Sequence, residues 1–69
     1  MLEFDLKGQE YIQLNDLLKV LRLVGTGGEA NLHIVHGAVQ VNGAVEWQKR
    51  KKIRAGDLVA FKGKTIKVL

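Results

Sequence analysis

Cysteine and serine are both missing from this chain of 69 residues, and each absence closes off a class of chemistry. Without cysteine there is neither a disulfide framework nor a thiolate zinc site, and a reducing, cytoplasmic setting is the natural expectation. Thr26 and Thr65 are the only aliphatic hydroxyls, so the common nucleophiles of covalent catalysis are lacking. The carboxylates are scattered, with no pair spaced for acid/base work, and a non-enzymatic role is expected. Charges interrupt every apolar stretch, so nothing approaches the roughly 18 to 20 continuous apolar residues of a membrane span. The opening Met1-Leu2-Glu3-Phe4-Asp5 lacks the basic and apolar regions of a signal peptide. A soluble, unsecreted protein is expected. There is no internal repeat, linker or low-complexity tail, and residues 1–69 read as one domain that buries only about 60% of the surface exposed by its unfolded form.

Charge is present but unevenly placed. Residues 1–48 hold three cations against six acids, a net −3, whereas residues 49–69 hold eight cations against Asp57 alone, a net +7. Such asymmetry points to a polyanionic partner, nucleic acid first and an anionic membrane surface second.

The chain changes character near its middle. Leu2, Phe4 and Leu6 alternate with polar residues as in a strand, Gly8-Gln9 ends it, and Glu10-Tyr11-Ile12 forms a short extended piece. Leu14, Leu17, Leu18 and Leu21 fall at the spacing of an amphipathic helix, with Lys19 and Arg22 on another of its faces. Gly25 to Gly28 breaks that helix. A second, short helix is predicted from Glu29 to His36, with Thr26 as N-cap and Glu29 completing a capping box. Gly37 suits the left-handed residue after this helix. Val39-Gln40-Val41 is a strand, and Asn42-Gly43 is the strongest short hairpin signal available. Ala44 to Trp47 returns as a strand, and Leu58–Phe61 and Thr65–Val68 follow as two more.

The best functional candidate is the run Lys49, Arg50, Lys51, Lys52, Ile53, Arg54. If Ile53 faces the core, alternation turns Lys52 and Arg54 outward, and Arg50 with them if the extension persists. Cations so spaced can track successive phosphates. The plain alternative is a solvated face. Gly25 to Gly28 precedes a helix whose free N–H groups could receive a phosphate, with Thr26, Gly27, Gly28, Asn31, Lys19 and Arg22 around it. Its alternative is a tight turn between helices, and the Gly-Lys-Ser/Thr ending of a nucleotide P-loop is absent. Trp47, just before the basic run, could stack on an unpaired base or simply belong to the core. His33 and His36 have no third ligand beside them, so no metal site and no cofactor are expected.

In this order, Ala30, Gly37, Val39, Val41, Asn42, Gly43, Gly56 and Asp57 resemble the pattern of the RNA-binding domain named after small-subunit ribosomal protein S-four, also called the αL motif. The resemblance covers about residues 12–68 and is most like the small stand-alone bacterial proteins of that kind. Where larger relatives carry serine-arginine and a further basic residue in the second helix, this chain has Thr26-Gly27 and Asn31, and its charge shifts toward Lys49-Arg50. The resemblance implies an α+β fold with a helical hairpin on a small, mostly antiparallel sheet. It also implies RNA binding in a groove between the hairpin and the basic segment, without saying which RNA. The surface itself suits structured RNA, such as ribosomal or transfer RNA, and a monomer is expected. The scarcity of aromatics, with one tryptophan, one tyrosine and two phenylalanines, favours structured RNA over a sequence-read single strand. The other readings are a protein-interaction or assembly factor and a non-specific duplex DNA binder.

Overall fold

The computed structural model describes all of residues 1–69. Its elements run β1 (Leu2–Phe4), β2 (Ile12–Gln13), α1 (Leu14–Val20), α2 (Gly27–Val35), β3 (Val39–Val41), β4 (Ala44–Val45), β5 (Lys52–Ile53), β6 (Leu58–Phe61) and β7 (Lys64–Val68). A five-stranded sheet has the order β1-β7-β6-β3-β4, and β2 pairs with β5 in a separate antiparallel ribbon. Only β1 and β7 run parallel. The fold is α+β, two helices on a mostly antiparallel sheet, as the sequence led us to expect.

One core joins the layers. Leu14, Leu17 and Leu18 of α1 and Ala30 and Ile34 of α2 are fully buried with Val39, Ile53, Val59 and Ile66 from the strands. The leucine spacing thus marks the inward face of α1, although that helix stops at Val20 and Leu21 is only its half-buried cap. Arg22 lies beyond the end with φ +59°. It does not share a helical face with Lys19, because the chain turns sharply there to enter the connection to α2.

Three turns set the frame around the candidate interface. Helix α2 begins at Gly27, two residues before the predicted start, with Thr26 as N-cap. At its other end Gly37 has φ +78°. Gly37 N–H donates to the Ile34 carbonyl at 3.1 Å and Ala38 N–H to the His33 carbonyl at 3.0 Å, the paired bonds of a Schellman ending. Asn42 and Gly43 both have positive φ, 52° and 86°, and close a two-residue hairpin with Val41 opposite Ala44, as a type I′ turn requires.

The Asn42 side chain then fastens this hairpin to the next strand. Its Nδ2 donates to Asp57 Oδ1 at 3.1 Å, and its Oδ1 accepts from Leu58 N–H at 2.9 Å. Asp57 Oδ2 in turn accepts from Arg54 N–H at 2.8 Å. The asparagine-glycine and glycine-aspartate pairs are therefore one bracket that fixes the exit of the basic segment.

Candidate nucleic-acid interface

The basic segment begins where the sheet ends. Strand β4 stops at Val45 rather than Trp47, and the chain crosses from the sheet to the N-terminus of α1. That helix has Gln13 as N-cap with no side-chain cap bond, so its first N–H groups need acceptors from elsewhere. Asn15 N–H donates to the Lys49 carbonyl at 3.0 Å and Leu14 N–H to the Lys51 carbonyl at 2.9 Å. The backbone of the basic run is thus the cap of α1. This capping holds the run in a turn at Lys49-Arg50, with Lys51 N–H donating to the Gln48 carbonyl at 3.3 Å.

Extended geometry covers only Lys52–Ile53. Ile53 is fully buried, which turns Lys52 and Arg54 outward, but the turn takes Arg50 out of that alternation. The expected line of three outward cations is therefore Lys52 of β5 with Arg54 just beyond its end, and a separate exposed pair, Lys49 and Arg50, at the turn, with the half-buried Lys51 in between. Of the five cations only Arg54 has an acidic partner, Glu10 Oε1 at 3.1 Å. Like charges without counter-charge lower their mutual repulsion when an anion binds between them.

A chain of bonds links this run to the helical hairpin. Asn15, whose N–H is held by Lys49, donates through Nδ2 to Asn31 Oδ1 at 3.1 Å. Asn31 thereby joins α2 to α1 and lies beside the basic run. Lys19 and Arg22 come together with Gly25 and Glu29 around a shallow depression at the connection between the helices.

The start of α2 is less open to an anion than the sequence suggests. Thr26 Oγ1 accepts from Glu29 N–H at 3.1 Å, and Glu29 Oε1 accepts from Gly25 N–H at 2.8 Å. The reciprocal bond of the capping box goes to Gly25 instead of Thr26. A carboxylate therefore already sits at the positive end of the helix, where it is favourable to the dipole and opposes a phosphate. Gly27 and Gly28 are not demanded by internal packing. A Cβ at Gly27 would meet nothing within 4 Å, and one at Gly28 only Thr26 Oγ1 at 3.8 Å. The surface over both glycines is clear.

Trp47 is not a core residue. It is 61% exposed, and its ring lies over Gly37, with Cη2 2.9 Å from where a Cβ would stand. A side chain at Gly37 would collide with it, so this glycine serves both the helix ending and the indole. His33 packs edge-on against Phe61 with ring centroids 5.0 Å apart and lies 3.7 Å from Glu29.

Tyr11 was not singled out in the sequence, yet two of the cations converge on it. Lys52 Nζ stands 5.0 Å and Arg54 Cζ 5.7 Å from its ring centroid. The pairing of Ile12 with Ile53 produces this, since the residues flanking an inward pair point outward together. One feature of the sequence hinted at it: Ile12 and Ile53 each sit between polar or amphipathic neighbours.

Comparison with known proteins gives a consistent result. The model of the S4 domain family matches residues 4–69. YbcJ of Escherichia coli (strain K12) and YbcJ of Shigella flexneri are each 41% identical to this chain over 69 residues, covering 100% of it and 99% of theirs. The solution structure of YbcJ from E. coli, described as revealing an ALFAL motif involved in RNA-binding, superposes with a TM-score of 0.76. It is 40% identical, with 100% of this chain and 87% of that chain covered.

Proposed function

Because this chain belongs to the S4 domain family, we propose that it is a non-catalytic RNA-binding module that grips the phosphate backbone of structured RNA, ribosomal or transfer RNA, through its basic segment. The observation that carries this reading is the state of the run itself. Its backbone is tied down by α1, while Lys49, Arg50, Lys51 and Lys52 have no acidic partner. A fixed backbone carrying unpaired cations suits phosphate neutralisation, which dominates nucleic-acid affinity. What is said of YbcJ, an ALFAL motif involved in RNA-binding, supports the same reading.

In this proposal Arg50 and Arg54 take phosphates bidentately and the lysines act as point charges. Asn31, Thr26 and the clear surface over Gly27 and Gly28 supply shape on the helical side, with Lys19 and Arg22 adding charge at the edge. Exposed Trp47 offers a stacking surface to a base at the other end of the run. The module works as a monomer in the cytoplasm, without metal or cofactor.

The test replaces Lys49, Arg50, Lys51 and Lys52 together by alanine and measures affinity for a structured RNA by anisotropy. The backbone bonds to α1 do not involve these side chains, so the fold should persist by circular dichroism. Affinity should fall by about a hundredfold or more, given the salt-linked share of several phosphate contacts. Unchanged affinity in a folded variant would refute the assignment. Competition by duplex DNA of equal length, if as effective as RNA, would instead make this a general duplex binder.

A further inference from the structure

Beside Tyr11 lies a shallow groove of about 590 Å³ between β2 and α1, which the charge argument leaves unused. Tyr11 and Ile12 contribute from β2, Asp16, Lys19 and Val20 from α1. Gln9 and Gln13 add two amides, each with both donors and an acceptor. Tyr11 is the one residue that lines this groove and also carries the cations Lys52 and Arg54 on its ring.

From this juxtaposition we propose that the groove holds one unpaired nucleotide of the bound RNA, its base against Tyr11 and its phosphate on Lys52 and Arg54. The inference rests on the RNA-binding reading above and adds a second kind of contact to it. Tyr11 supplies the aromatic ring that base stacking requires, and Val20, 57% exposed, adds apolar surface to the lining. Asp16 and Lys19, both of α1, line the groove together. An ionised carboxylate only accepts hydrogen bonds and an ammonium only donates them. Asp16 therefore suits the N–H groups of a base edge and Lys19 its acceptors, while the two cations gathered on the Tyr11 ring, Lys52 and Arg54, take the phosphate. Glu10 holds Arg54 by a single exposed contact, Nη1 to Oε1 at 3.1 Å, and such pairs are weak enough to yield to a phosphate.

Two RNA hairpins of equal length test this, one with a fully paired stem and one with a single-nucleotide bulge, against the wild type, Tyr11→Leu and Tyr11→Phe. The wild type should bind the bulged stem more tightly. Tyr11→Leu should lose about tenfold on that RNA, as expected for one base–aromatic stack, and little on the paired one. Tyr11→Phe, which keeps the ring, should bind as the wild type does. Equal wild-type affinity for the two RNAs, or an equal loss on both in Tyr11→Leu, would overturn the nucleotide site while leaving phosphate binding in place. Failure of the wild type to bind either RNA would overturn the RNA-binding reading itself, and this inference with it.

Discussion

Asn42 touches none of the cations of the basic run directly, yet it holds the loops on either side of it. It occupies the left-handed region at φ 52°, which asparagine tolerates better than most residues, and its side chain makes both bonds of the bracket to Asp57 and Leu58. Asn42→Ala removes both bonds and leaves a β-carbon in an unfavourable backbone conformation. Stability should drop by about 1–2 kcal/mol, read as a lower urea midpoint with an unchanged m-value. An unaltered midpoint would mean that the bracket is decorative. The Asn42-Gly43 turn was legible because a two-residue hairpin of this kind needs positive φ at both positions. Its tie to Asp57 was not, since fifteen residues separate them and only the pairing of β3 with β6 brings them together. Tyr11 escaped for the same reason: its meeting with Lys52 and Arg54 depends on the register of β2 against β5.

Among the elements, α2 and the basic run divide structural and electrostatic labour. The first turn of α2 is capped by Thr26 and neutralised by Glu29, which makes the helix self-sufficient. Thr26→Ala should cost about 1 kcal/mol of stability, the usual effect of losing such a cap, while RNA affinity changes by less than about threefold. Thermal unfolding and anisotropy on the same sample check the two halves. A large loss of affinity with intact stability would show that the Thr26 hydroxyl contacts RNA itself. The helical period of the leucines made the core face of α1 readable, and Leu14, Leu17 and Leu18 are all fully buried. The strand period misled where it was carried past Lys52. Alternation describes a chain paired along its length, whereas Lys49 and Lys51 are held through their carbonyls by the uncapped end of a helix. Nothing local in the sequence announces that demand.

Over the whole molecule, charge separates along the chain more cleanly than it does in space. The first 48 residues are net acidic and the last 21 strongly basic, but Glu10 reaches Arg54 and Glu29 sits at the helix start beside Lys19 and Arg22. Acids of the first part therefore border the proposed RNA surface, and within the basic run the cations left without an acidic partner are Lys49, Arg50, Lys51 and Lys52. A patch of unpaired cations makes a quantitative demand on salt dependence. The most direct measurement is the affinity for a structured RNA across a salt series, with the wild type beside the quadruple alanine variant at Lys49, Arg50, Lys51 and Lys52. Log K should fall with log salt at about −0.7 to −0.9 per phosphate contact, or roughly −3 to −4 in total, and the variant should flatten that slope to about −1. A wild-type slope near zero, or a variant that keeps both the slope and the affinity, would contradict the account and make the run a solvated face.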